Sequence, residues 1–199
     1  MGYTHYWKRN KEIEYETFKK IVNDFKKILP EIEKIGIPLG NADGENEPII
    51  NYNKVSFNGL SECGHSHSRR LFMPWPEDTA GGVAESCDYR NLEYQRWVGR
   101  SFIDTRCCNG DCSYQGFVFE RIMPTNYKKK DYDGKYFDSC MTAFRPYDLV
   151  VNVFLVIAKH YLKNNIIISS DGEEQHWYDG KYLCQMKLDY GLEIAVNSE

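Results

Sequence analysis

The stretch Pro146-Tyr147-Asp148-Leu149-Val150-Val151-Asn152-Val153-Phe154-Leu155-Val156-Ile157-Ala158-Lys159-His160-Tyr161-Leu162 carries the reading on which the fold turns. Proline suits a first helical position, and the run from Tyr147 to Leu162 is apolar around most of a helical circumference. Such a helix has little face to offer water and is expected to lie buried against a sheet. Its most apolar part, Leu149 to Ala158, contains Asn152 and is too short to cross a bilayer.

Outward from this helix, other periods appear. Phe18, Ile21, Val22, Phe25, Ile28, Leu29, Ile32 and Ile35 recur at three- and four-residue steps, predicting an amphipathic helix that Pro30 kinks or divides and Gly36 ends. Residues 3 to 7 alternate as a strand, with Tyr3, His5 and Trp7 on one face and Thr4 and Tyr6 on the other. Strand character also marks Ile49 to Phe57, up to a break at Asn58-Gly59, then Gly116 to Arg121, Tyr136 to Phe144 and Ile166 to Ser170. Asp171-Gly172-Glu173-Glu174 has the pattern of a capping box, opening a last helix from about Glu173 to Leu188 with Trp177, Leu183 and Leu188 inward. Strands and helices mix without a strict βαβ repeat. The expected fold is α+β, a mainly antiparallel or mixed sheet with about three packed helices.

Between Leu60 and Gln115 no period persists, while Pro74, Pro76, Gly81, Gly82, Gly99 and Gly110 punctuate the chain. A loop-rich stretch of that length is unusual inside a domain, so residues 60–115 read as an insertion held by something other than a large core. The whole chain of 199 residues is expected to form one domain, residues 1–199, around it. With 42% apolar and 15% aromatic residues it is globular in composition. A net charge of −4 gives no field for duplex nucleic acid or an anionic membrane, and the Lys128-Lys129-Lys130 run reads as a solvated loop. The opening residues lack the basic start and apolar stretch of an export signal, so a cytoplasmic location is expected.

In that reducing compartment seven cysteines mean thiols or metal ligands before disulfides. Five of them lie between Cys63 and Cys112, in Cys63-Gly-His65-Ser-His67 and Cys107-Cys108-Asn-Gly-Asp-Cys112 with Cys87 between. Cys63, His65 and His67 would share one face of an extended segment, and thiolate with imidazole suits zinc. Cys87, Cys107, Cys108 and Cys112 complete the candidate ligands of a structural zinc that would staple the insertion. The spacings match no zinc-finger or ribbon pattern; ordinary thiols with surface histidines are one alternative, and a catalytic zinc with three ligands, an open position and an acid such as Glu62, Glu85 or Asp111 is another.

Elsewhere, Arg145 and Asp148 open the buried helix, where free N–H groups favour an anion, although Asp148 could simply cap the helix or pair with Arg145. Ser169, Ser170 and Asp171 form a similar junction of strand and helix. Tyr3, His5 and Trp7 form a stripe that could stack a base or ring, although aromatic stripes on strands are more often core, and Tyr3, His5 and Tyr6 could stack or hydrogen-bond a ligand.

The blocks Met1-Gly-Tyr-Thr-His-Tyr-Trp7, Val55-Ser-Phe-Asn-Gly59, His67, Cys140-Met-Thr-Ala-Phe-Arg-Pro-Tyr-Asp148 and Ser169-Ser-Asp-Gly172 with Trp177 resemble, in order and wording, a family of short proteins encoded by bacteriophages and prophages. The chain departs from it at Ser68-Arg69, where the family has Glu-Thr, at Met141 and Phe144, where it has basic residues, and in its cysteine-rich middle. The resemblance implies a viral accessory protein working in the host cytoplasm. The expected function is binding of a small polar, nucleotide-like ligand, such as a cyclic nucleotide serving as a host immune signal, by Tyr3, His5, Tyr6, Arg145, Asp148, Ser169, Ser170 and Asp171, with a homo-oligomer compatible. The alternatives are a hydrolase of such a ligand, with His5 or His67 as base and Asp148 or Asp171 orienting it, and an inhibitor that binds a host protein.

Overall fold

β1 (Thr4–Arg9) is the middle strand of an antiparallel sheet, flanked by β11 (Tyr136–Met141) and β12 (Ile166–Ser170). The computed structural model describes residues 3–65, 70–72, 82–84, 96–97, 100–101, 106–108, 110–124 and 134–196, with backbone alone at 70–72, 82–84, 96–97, 100–101 and 107. His5 pairs with Cys140 and Ser170, and Trp7 with Asp138 and Ile168, so one face of the sheet carries His5, Trp7, Cys140 and Ile168 inward. Tyr3, His5 and Trp7 are buried, as the alternation predicts.

α1 (Tyr15–Ile35) turns Phe18, Ile21, Val22, Phe25, Ile28, Ile32 and Ile35 into the core. Pro30 lies inside it without dividing it, because the apolar stripe continues on both sides and outweighs one lost backbone hydrogen bond. α2 (Asp148–Leu162) buries nearly every residue, as an all-round apolar helix must. Phe154 is the pivot: its ring meets Phe25 of α1 at 5.2 Å, and Phe117 and Phe119 at 5.2 and 5.0 Å. Those two rings belong to β10 (Phe117–Glu120), which pairs with β4 (Lys54–Gly59) in a second antiparallel sheet that also holds β2 (Leu39–Gly40) and β3 (Ile49–Ile50). Trp7 packs on Phe117 at 5.3 Å, joining the cores of the two sheets. The architecture is α+β with antiparallel sheets, and no helix among the described residues is long and apolar enough to cross a membrane.

Two local readings change. The run from Ile49 divides, because Asn51 Oδ1 accepts from the N–H groups of Asn53 and Lys54 and makes a turn between β3 and β4. Asn58-Gly59 does not break the strand but ends it as a junction. The buried Asn58 side chain donates to the carbonyls of Ala42 and Tyr114 and accepts from the N–H groups of Gly59 and Tyr114. The last helix also starts later. A 3₁₀ turn, Glu174–Trp177, precedes α3 (Tyr178–Leu188), and the reciprocal cap is made by Glu173 and His176. Asp171 instead accepts from Thr4 N and Tyr6 Oη, each at 3.0 Å, fastening the end of β12 to β1.

Within the insertion, short strands pair: β5 (Arg70–Phe72) with β6 (Gly82–Ala84) and β9 (Arg106–Cys107), and β7 (Arg96–Trp97) with β8 (Arg100–Ser101). The insertion returns to the body where Cys112 N donates to Leu60 O. There the backbones press together, since a Cβ on Gly59 would collide with the Cys112 carbonyl. Gly59→Ala is therefore expected to destabilise the protein by roughly 1–3 kcal/mol through overpacking. Urea denaturation reads this, and a loss under about 0.5 kcal/mol would show that the contact yields freely.

Candidate metal centre and the buried ion network

Cys63 and His65 follow β4 and a turn, and Cys108 and Cys112 bracket a second turn in which Asp111 N donates to Cys108 O. Their donor atoms all lie within 4.8 Å of one another. Cys108 Sγ is 3.3 Å from Cys63 Sγ and 3.4 Å from Cys112 Sγ, and Cys112 Sγ is 3.4 Å from His65 Nδ1. Sulfurs on one tetrahedral zinc stand about 3.8 Å apart, so the set fits such an ion with small adjustments. The segment is not extended as the alternation argument assumed. Gly64 has φ of 70°, a left-handed value that lets Cys63 and His65 converge on one point.

Burial first, then neighbouring sulfur, raises the Cys112 thiol far above its usual value, and burial also raises Cys108. Crowded, half-sequestered sulfurs ionise together only around a cation, whose charge replaces the lost water. The cluster could hold a metal ion. A cavity of about 510 Å³ lined by Leu29, Ile32, Ile37, Leu39 and Ile50 reaches Cys63 and His65 and gives a chelator access from that side. Of the other predicted ligands, His67, Cys87 and the side chain of Cys107 lie outside the described residues.

Next to this cluster is a second polar assembly, wholly inside. Asp148 Oδ1 accepts from His5 Nε2 at 2.6 Å and from Thr142 Oγ1 at 2.5 Å. Its Oδ2 accepts from Arg106 Nε at 2.9 Å and from Asn152 Nδ2 at 3.4 Å. Arg106 Nη1 reaches Asp179 Oδ2 at 2.9 Å. His5 and Asp148 are 0% exposed, Arg106 1% and Asp179 7%, so these charges interact with almost no water between them. Burial alone would raise the Asp148 carboxyl, but His5 and Arg106 with their hydrogen bonds hold it well below the usual range. Asp179 has one guanidinium arm, and there burial prevails and raises the carboxyl.

The predicted ligand residues thus fall in different places. His5 and Asp148 meet in the core, with the buried Tyr3 ring 5.1 Å from His5. Tyr6, Ser169 and Asp171 gather on the opposite, outward side of the sheet, where Tyr6 stands beside Ser169 in register. Ser170 Oγ accepts from Gly172 N, and Arg145 donates to the Cys108 carbonyl at 2.6 Å, on the side of the metal cluster. Arg106, Thr142, Asn152 and Asp179 escaped the sequence reading. Asn152 inside an apolar helix, four residues after Asp148, and Asp179, four before Leu183, were the available signals of a polar cluster facing inward.

Asp148→Asn leaves Arg106 with one carboxylate among the described residues, Asp179, and is expected to cost about 3–5 kcal/mol at pH 7. A carboxyl depressed by folding contributes fully above its unfolded value and loses that contribution as pH falls below it, so the deficit should shrink below about pH 4. Denaturant curves at pH 7 and pH 3 test this, and an equal deficit at both would refute the assignment. No family model matches the chain, and no curated protein and no solved structure is significantly similar to it.

Proposed function

We propose that the protein is a zinc-dependent binding protein, in which Cys63, His65, Cys108 and Cys112 hold a structural zinc that fastens the insertion to the α+β body. The observation that carries this is the convergence of four donors of the sulfur and imidazole type from two separate segments. Four protein ligands close the tetrahedron and leave no position for a reacting water, which favours a structural over a catalytic ion. Protein purified without an affinity tag is expected to carry about one zinc per chain, lost in Cys108→Ala and Cys112→Ala. Elemental analysis finding under about a tenth of an equivalent would refute the centre.

The molecule bound is a small planar, nucleotide-like ligand, in keeping with the accessory role that the phage-family resemblance implies. The supporting observation is the outward face of the β11-β1-β12 sheet. Tyr6 stacks on Phe137 with centroids 6.0 Å apart, and Phe137 stays 43% exposed and Ile167 36%. Ser139 and Ser169 flank Tyr6 in register, and Asp171 accepts from its hydroxyl. Rings on an open sheet face stack a base, while hydroxyls and a carboxylate take up the hydrogen bonds of a sugar. Sequestration suits the site better than hydrolysis, because His5 and Asp148 face each other inside the core rather than this surface.

Titration calorimetry against mononucleotides and cyclic di- and oligonucleotides is expected to find a ligand whose affinity drops roughly 5- to 150-fold in Tyr6→Ala, the equivalent of about 1–3 kcal/mol of stacking. An absence of heat across the panel, or a bound nucleotide indifferent to Tyr6→Ala, would remove this reading.

A further inference from the structure

We infer that the metal centre and the buried Arg106 network are one coupled unit: metal loading seats Arg106 between Asp148 and Asp179, and a seated Arg106 in turn tightens the hold on the metal. The inference rests on the reading of the four-donor cluster as a metal centre and goes beyond it, because it assigns the metal an effect on the interior of the body.

The connection is short and made from both sides. Only Cys107 separates Arg106 from the ligand Cys108, so the two α-carbons stand at most about 7 Å apart. β9, which carries Arg106, is a two-residue strand paired to β5 at Arg70 and Leu71, too little ladder to position a guanidinium by itself. On one side of Cys107 the chain is fixed by the metal ligands Cys108 and Cys112. On the other it is fixed by the bonds from Arg106 to Asp148 and Asp179, and to the carbonyl of His176 at 3.5 Å. A second tie bypasses Arg106: Arg145, three residues before Asp148, donates to the carbonyl of Cys108.

Electrostatics makes the seat nearly all-or-none. Asp148 and Asp179 approach the same guanidinium from α2 and α3, and with Arg106 withdrawn the described residues would leave two carboxylates in the core without the guanidinium that joins them. Buried acids in that state draw in water or a proton and loosen the helix ends that bear them. Arg106 is thus either in its seat or out of it. A ligand that fixes Cys108, two residues along, biases that choice, and by linkage the choice changes the ligand's affinity by the same factor.

The test uses the full-length, untagged, zinc-loaded protein. Hydrogen exchange is compared before and after zinc is removed by a chelator, at peptides covering residues 145–152 and 174–181 and, as a reference, residues 18–28 of α1. Protection is expected to fall at the first two by a larger factor than at the reference. Arg106→Met, which keeps all four donors, is expected to weaken zinc in chelator competition by about fivefold or more, with partial recovery in Arg106→Lys. If Arg106→Met does not fold, the exchange comparison on the wild type decides alone. One equivalent of zinc bound, with exchange at 145–152 and 174–181 unmoved by its removal, overturns the coupling and leaves the metal centre standing. Zinc affinity unchanged in a folded Arg106→Met does the same. Failure of the wild type to take up zinc at all overturns both.

Discussion

The guanidinium of Arg106, shared between Asp148 and Asp179, is the interaction around which the remaining structure is arranged. α2 is buried on nearly all sides, and its first residue is an aspartate with no route to solvent. A helix N-terminus favours a carboxylate there, but the helix dipole is too weak to offset complete desolvation. The chain supplies the difference from four directions: His5 from β1, Thr142 just after β11, Arg106 from the insertion and Asn152 one turn along α2. Asp179 brings α3 to the same guanidinium. Burying a pair of this kind stabilises little compared with an apolar replacement, yet it permits few other arrangements of the segments that meet there.

The insertion follows from the same constraint. Its described strands are two or three residues long, and among the described residues it meets the body through Arg106, the Cys108 carbonyl and the backbone of Cys112. A buried arginine, with the metal proposed for the four-donor cluster, would suit such a segment as a fastening, since each concentrates its effect on a few atoms and needs no extended packing surface. The bonds of Arg145 and Cys112 then orient the fastened end against β4 and the start of α2.

The periodic elements were legible because each expresses one burial face. The three- and four-residue steps from Phe18 to Ile35, the apolar circle from Leu149 to Ala158 and the alternation of Tyr3, His5 and Trp7 all reappear as buried surface. The four-donor cluster was half legible. Composition pointed to the window, but the set of ligands depended on a turn at Gly64 that an extended reading of Cys63, His65 and His67 does not contain. The ion network was legible only in part: Asp148 could be read as the acid that orients His5, but the place of Arg106 between two aspartates could not. Arg106 meets Asp148 across 42 residues and Asp179 across 73, and a pair so distant leaves no periodic or compositional trace. Asp171 misled for a related reason: its local surroundings fit a helix cap, while Thr4 and Tyr6, far away in sequence, claimed both of its oxygens.

Asn58 carries a liability of a different kind, chemical ageing. An asparagine followed by glycine is the dipeptide most prone to deamidation, in which the glycine nitrogen attacks the side-chain carbonyl carbon and ammonia leaves. In the folded chain that carboxamide is buried, and its donors are committed to the carbonyls of Ala42 and Tyr114. Conversion to aspartate would replace the donating amide by a second acceptor and set oxygen against oxygen at both carbonyls. Folding therefore shelters the bond it depends on, and a molecule that lingers unfolded accumulates damage at the junction between β4 and the loop that carries Cys63 and His65.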